Sequence, residues 1–362
     1  MITDAMDDNA RPPEMSGNAE LSGTDNNAEL DADTALPRTG NNGTANYQIK
    51  ENDEELLIRS QWDLDRIVSE LRVLRTEWWQ STNPDGVSYE LPSQEAASDI
   101  LKELSAALFP RHFAQPDLTE EGVDYFVGRT LNGALQSLLE QVRRELRLAS
   151  RSADKAAARP EQQACEIISK FAANLANVRA LLESDVRAAY QGDPAARSID
   201  EVLFCYPGIV AITHHRLAHE LYKLGAPLLA RIISEIAHAA TGIDIHPGAQ
   251  IGDSFFIDHG TGVVIGETAV IGRHVRLYQA VTLGAKRFAV DDSGALVKGG
   301  ARHPIVEDDV VIYSGATILG RITIGRGSTI GGNVWLTRSV PPGSHIIQAQ
   351  ARSDIFVDGG GI

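Results

Sequence analysis

Between Ile243 and Val340, apolar residues return every six positions, and this period limits the fold more than any other feature of the chain. Val306, Ile312, Ile318, Ile324, Ile330 and Leu336 keep a strict step of six. Val310, Ala316, Ile322, Ser328 and Val334 follow four places after the first five of these, and most are small or β-branched. Ile245, Ile251 and Ile257 keep the same step. Ile265, Ile271, Leu277 and Leu283 resume it after a slip of two residues. An α-helix repeats every 3.6 residues and a half-buried strand every two, so neither explains a period of six. A parallel β-helix does, because each six-residue side sends one aliphatic residue to the axis and coil stacks on coil. Ile-Gly pairs at 251, 265, 271, 324 and 330 suit the corners, since glycine accepts turn dihedrals that β-branched residues resist.

Upstream of Thr241-Gly242 the period is helical. Leu64, Ile67, Val68, Leu71, Leu74 and Trp78 fall on one face at helical spacing and predict a first helix. A second helix is expected from near Ser93 to before Pro110, and a third from about Thr119 to Leu146. Pro160 opens a fourth, with Ile168, Phe171, Leu175, Val178 and Leu182 on its buried side. Short helices are expected at about 195–205, 207–223 and 227–240. The fold class is therefore α+β and multidomain. An α-helical domain spans 53–241, and a parallel β-helix spans 242–342 with one long loop at 285–303. Flanking these are an acidic tail, 1–52, and a flexible C-terminal tail, 343–362.

Thirteen acidic and three basic residues lie between Met1 and Glu55, too polar a composition to offset chain entropy, so this tail is expected to be disordered. The whole chain of 362 residues carries a formal charge of -16, which argues against nucleic acid or an anionic membrane as partner. No apolar run approaches the roughly 20 residues of a membrane helix, and the start does not look like a presequence. Cys165 and Cys205 are the only cysteines and are expected to be reduced core thiols, which suits the cytoplasm.

Three groups stand out against the β-helical background: Asp244-Ile245-His246, Asp258-His259 and Arg302-His303. A β-helical coil takes about eighteen residues, so Asp244, fifteen before His259, is expected to lie near its ring. A carboxylate on one ring nitrogen fixes the tautomer and raises the basicity of the other, as a general base needs. The acid, the base and the second histidine with its arginine are expected at one face beside the long loop. A solenoid histidine is also often a plain corner residue, and Asp258 could bond its own backbone. His246, His259, His274 and His303 could bind zinc from neighbouring coils, but they lack the usual ligand spacing, and no metal is expected.

These residues resemble a known family. Thr-Gly-Ile-Asp-Ile-His-Pro-Gly-Ala at 241–249, Ile-Asp-His-Gly-Thr-Gly-Val-Val-Ile-Gly-Glu-Thr at 257–268, Val-Thr-Leu-Gly-Ala at 281–285 and Arg-His-Pro at 302–304 look like serine O-acetyltransferase. That family consists of hexapeptide-repeat enzymes that make O-acetylserine for cysteine synthesis. The resemblance covers about 160–350, and more loosely the region from about 60. It implies a left-handed parallel β-helix, L-serine and acetyl-CoA as substrates, no permanently bound cofactor, and direct acetyl transfer. It implies His259 as base, Asp244 as its partner and His303 as an orienting residue. Asp193 and Asp258 would hold the substrate ammonium, and Arg302 its carboxylate. Asp193-Pro194 also looks like a helix start. Gly284, Ala285 and Lys286 are weaker candidates for acetyl-CoA contacts. The loop before Arg302 is longer than in the common bacterial form, and Ala285 replaces a glycine of that form. The family further implies a homotrimer or dimer of trimers, inhibition by cysteine, and capture of the C-terminal Ile362 by O-acetylserine sulfhydrylase. Other readings are a hexapeptide O-acyltransferase for a sugar or antibiotic hydroxyl, which needs no ammonium-holding acids, and a non-catalytic β-helical scaffold.

Overall fold

The computed structural model describes residues 62–83, 86, 90–114, 118–150, 159–287 and 290–348. The expectations for the acidic tail 1–52, and for Ile362 at the C-terminus, lie outside the described residues. The chain divides into two units, Met1–Pro84 and Asp85–Ile362.

The first unit contributes one described helix, α1 (Leu64–Thr82), capped by the Asp63 side chain on the Arg66 N–H. Its period is helical as expected, and none of its residues is buried.

In the second unit, α2 (Gln94–Leu108) starts at its Ser93 cap and stops before Pro110, and α3 (Pro110–Phe113) is a single turn. The long helices α4 (Val123–Ser150) and α5 (Pro160–Gly192) follow, then α6 (Ile199–Cys205), α7 (Pro207–Leu224) and α8 (Pro227–Thr241). Pro at the first helical position of α5, α7 and α8 costs no backbone bond there. Asp193-Pro194 does not start a helix. Asp193 ends α5, and Ser198 caps α6 through the Glu201 N–H. Cys165 and Cys205 are free and exposed, not core thiols. Cys165 is an exposed residue of α5, on the flank of the buried stripe of Ala164, Ile167 and Ile168, and Cys205 is the last residue of α6.

The chain then coils. One turn runs through β1 (Asp244–Ile245), β2 (Gln250–Ile251) and β3 (Phe256–Ile257), and the next through β4 (Val264–Ile265), β5 (Val270–Ile271) and β6 (Arg276–Leu277). β7 (Thr282–Gly284), β8 (Ile305–Val306) and β9 (Val311–Ile312) form the third, and β10 (Thr317–Leu319), β11 (Thr323–Ile324) and β12 (Thr329–Ile330) the fourth. β13 (Trp335–Leu336) and β14 (His345–Ile346) complete it, so pairing continues past the expected end at 342. Three parallel sheets result: a first face β1-β4-β7-β10-β13, a second β2-β5-β8-β11, and a third β3-β6-β9-β12-β14. The residues of the six-residue beat line the axis: Ile265, Leu277, Leu283, Ile312, Ile318, Ile324 and Ile330 are all buried. With its helical region ahead of it, the coil is the expected left-handed β-helix of hexapeptide repeats.

The helices α2–α8 and the coil form one unit. Gly208 at the start of α7 lies so close to β3 that a Cβ there would be 2.4 Å from the Ile257 carbonyl oxygen. Arg216 of α7 forms a buried bidentate pair with Asp185 of α5 and also donates to the Gly252 carbonyl at 2.8 Å. Asp185 in turn accepts from the Phe255 N–H at 2.9 Å. This pair ties two helices to the corner between β2 and β3, with every partner hydrogen-bonded as a buried charge requires.

Candidate active site

Register explains the corner after β3. Asp244 pairs with Val264, twenty residues on, whereas Val264 pairs with Thr282, eighteen on. The two extra residues lie in the turn 258–263, between the third and first faces. His259 adopts a left-handed conformation, φ 58°, followed by Gly260 and Gly262 at positive φ. The Gly262 N–H donates to the Gly242 carbonyl at 2.8 Å. A Cβ on Gly260 would sit 2.4 Å from Ile243 Cδ1, so this turn needs glycine. The protruding corner presents the His259 ring, whose side chain is 71% exposed.

Carboxylates surround it. Asp258 is 8% exposed; its Oδ1 lies 3.6 Å from His259 Nε2, and its Oδ2 accepts from Arg276 Nη2 at 2.5 Å. Asp193, at the end of α5, accepts from the Tyr206 hydroxyl at 2.5 Å and from the Ala195 N–H at 2.8 Å. The Tyr206 bond, then the Ala195 bond, hold its carboxyl below the usual range, and the positive fields of Arg276 and His259 add to them. Burial and Asp193 push the Tyr206 phenol up, so Tyr206 stays a donor. Asp244 stands on the same edge, paired in backbone with the residue that follows the His259 turn. No hydrogen bond or ion pair joins Asp244 to His259 among the described residues. Asp244 Oδ1 faces Arg231 instead, at 4.0 Å.

A second group lies on the edge between the first and second faces, where residues 285–304 replace an ordinary corner. Val270 pairs with Ile305, thirty-five residues on, so the insertion adds seventeen residues to an eighteen-residue coil. His303, 6% exposed, packs its ring on Gly266, where a Cβ would lie 2.1 Å from the ring. Its Nδ1 accepts from the Thr268 N–H at 3.0 Å and meets the Thr268 hydroxyl at 2.9 Å. Since Nδ1 accepts, the proton of the neutral ring is on Nε2. Burial, then Arg302, lower the His303 pKa to about 4, so the ring is a neutral donor. Arg302 Nη2 donates to Glu267 Oε2 at 2.6 Å, and Glu267 also accepts from Tyr222 at 3.1 Å. Arg321 donates to the carbonyls of Thr268 and His303. Gly284 ends β7 on this edge and accepts from the Gly320 N–H at 2.9 Å. Ala285 and Lys286 follow it, and Lys286 packs against Gly320.

The structure thus gathers Asp193, Asp258 and His259 at one edge and Arg302, His303, Gly284, Ala285 and Lys286 at another. The expectation of a single face fails, because a corner of a three-sided coil faces only its own edge. The four histidines weighed for zinc also separate, with His274 on the remaining edge between β5 and β6 and His246 on the edge of His303. Among the described residues, the three-member group with metal-ligand spacing is Glu235, His238 and Asp244, exposed or half-exposed. Sequence reasoning missed Arg276, Tyr206 and Glu267. Arg276 looks like a solvent-facing residue of an ordinary rung, and Tyr206 like a helix flank; Glu267 lies within the 257–268 stretch but carries no signal of its own there.

Comparison with known proteins agrees with this architecture. The bacterial transferase hexapeptide (six repeats) family matches residues 303–338. A protein of Synechococcus elongatus named "Serine acetyltransferase, plasmid" is 61% identical over 308 residues, covering 84% of this chain and 97% of that one. A serine acetyltransferase of Mycobacterium tuberculosis is 50% identical over 166 residues, covering 46% of this chain and 69% of its own length. Among solved structures, serine acetyltransferase isoform 3 of Entamoeba histolytica in complex with cysteine superposes with a TM-score of 0.60 at 35% identity, covering 75% of this chain and 86% of that chain. Serine acetyltransferase 1 of the same organism, in complex with L-cysteine, gives 0.61 at 35% identity, covering 72% and 88%.

Proposed function

The chain belongs to the serine acetyltransferase family, and we propose that His259 is the general base of its reaction, the formation of O-acetylserine. The observation that carries this is the corner itself: an exposed imidazole projecting from a glycine-dependent turn beside the carboxylates of Asp258 and Asp193. Acetyl-CoA is the acetyl donor. His259 removes the hydroxyl proton of serine, the oxygen bonds to the thioester carbon, and a tetrahedral intermediate forms. The C–S bond then breaks, and the same ring returns its proton to the departing thiolate. Asp258 and Asp193 hold the serine ammonium. Asp244 completes the dyad, which requires the exposed ring to turn from Asp258 toward it.

Arg302 receives the substrate carboxylate, in exchange with Glu267, and His303 orients the substrate through its Nε2–H. Gly284, Ala285 and Lys286, with Arg321 nearby, suit the thioester and the anionic donor. A homotrimer is supported by the position of the two groups on different edges of one coil, because a second copy can bring one edge to the other. Cysteine, carrying the same ammonium and carboxylate as serine, competes at this site. The two exposed, unpaired cysteines fit a cytoplasmic enzyme. O-Acetylserine sulfhydrylase is the proposed partner of Ile362, and removing that residue alone should abolish binding without altering acetyl transfer.

The direct test is thiol release from acetyl-CoA with serine, threonine, homoserine and a galactoside. Strong preference for serine is expected. Equal rates with the galactoside would contradict the role given to the two acids, since a sugar has no ammonium group.

A further inference from the structure

We propose that Arg276 is a positioning residue that sets serine affinity by locking Asp193 and Asp258 into one ammonium site. The inference rests on the assignment of those two acids to the substrate. Arg276 lies on β6, one coil beyond Asp258, with its backbone in register with Phe256. Its guanidinium works in two directions. Nη2 donates to Asp258 Oδ2 at 2.5 Å, and Nη1 donates to the carbonyl of Gly192, the residue before Asp193, at 2.7 Å. Asp258 belongs to the coil and Asp193 to the end of α5. Among the described residues, this arginine makes the only hydrogen bond from Gly192 or Asp193 to the coil.

The clamp is itself fixed. The guanidinium lies 4.9 Å from the Phe256 ring centroid and 4.6 Å from that of Tyr278. Tyr278 in turn stacks on Tyr313 at 5.0 Å and 11°. Planar guanidinium faces suit such packing in a way an ammonium does not. The helix end packs tightly here: a Cβ on Gly192 would lie 3.0 Å from Phe256 Cδ1. Charge gives the clamp a second effect. Two neighbouring carboxylates repel each other, and one guanidinium beside them leaves a single net negative charge, the complement of one ammonium. Without Arg276 the hydrogen-bonded bridge between the Gly192–Asp193 turn and Asp258 is lost, and the repulsion between the two acids is less offset.

The test is steady-state kinetics and calorimetry on the full-length oligomer, comparing Arg276→Met and Arg276→Lys with Asp193→Asn and Asp258→Asn. Met keeps the apolar stem between the rings; Lys keeps the charge but not the two-way fork. Arg276→Met is expected to raise the KM for serine and the Kd for cysteine by about tenfold or more, the size of a lost charge-assisted hydrogen bond. The KM for acetyl-CoA and kcat at saturating serine should change by less than about threefold. Arg276→Lys should fall between Met and the parent. An unchanged serine KM in Arg276→Met, with raised values in both Asp variants, overturns the clamp alone. So does an equal rise in both KM values, which marks a general loss of structure. Unchanged serine KM in both Asp variants overturns the acid assignment and the clamp with it. If the Met variant fails to assemble, the Lys variant decides: a serine KM equal to the parent's counts against the clamp.

Discussion

His259 gains its reach from an unusual backbone position, a left-handed corner flanked by glycines, with its ring beside Asp258. If it is the base, His259→Ala should lower kcat by about 10²-fold or more, the usual value of a general base. The coil should stay intact, as circular dichroism would verify. Asp244→Asn should cost less, because the exposed ring keeps Asp258 within 3.6 Å. A loss in Asp244→Asn as large as in His259→Ala would make the tautomer-fixing carboxylate the dominant element. The Asp-His block itself was plain in the sequence. Its geometry was not, because a six-residue period implies an eighteen-residue coil and this one takes twenty. Arg276 was missed for a related reason: period reveals which residues face the axis, and an outward-facing arginine shows its partners only once α5 is docked.

At the scale of the element, the six-residue beat was the most legible feature, since each rung is a local pattern repeated in phase and every repeat reinforces the same reading. The helix starts at Ser93, Pro160, Pro207 and Pro227 were legible for the same local reason. What local pattern cannot give is the outward turn of Cys165, which depends on packing partners distant in sequence. The corner at Gly266 provides an element-scale test. A methyl group there would collide with the His303 ring, so Gly266→Ala should displace the ring from Thr268 and reduce turnover by about tenfold or more, with an overpacking cost of about 1–3 kcal/mol. Kinetics together with thermal melting checks this, and unchanged turnover would show that the orientation of His303 is dispensable.

Across the whole molecule, several histidines are buried in neutral form. Burial lowers His214 and His303 to about 4 and His215 well below its ordinary value of 6.5. In this window the unfolded chain binds more protons than the folded one, so stability rises with pH. The contribution is fully present above about pH 6.5 and is lost as the pH falls from there toward about 4. The melting temperature should therefore drop between pH 7 and pH 5, and His214→Gln should reduce the drop; a melting temperature independent of pH in that range would contradict the neutral burial. No helix among the described residues is long and apolar enough to cross a membrane. The two functional groups lie on two edges of the coil, and the proposed function requires one copy to supply His259 and a neighbour His303. The most direct measurement is subunit complementation. His259→Ala and His303→Ala oligomers, each nearly inactive alone, are dissociated, mixed in equal amounts and reassembled. The account predicts recovery of about a quarter of parental activity, since about one interface in four pairs an intact His259 with an intact His303. No recovery from a mixture shown to contain hybrid oligomers would contradict a shared site and place both histidines' work within a single copy.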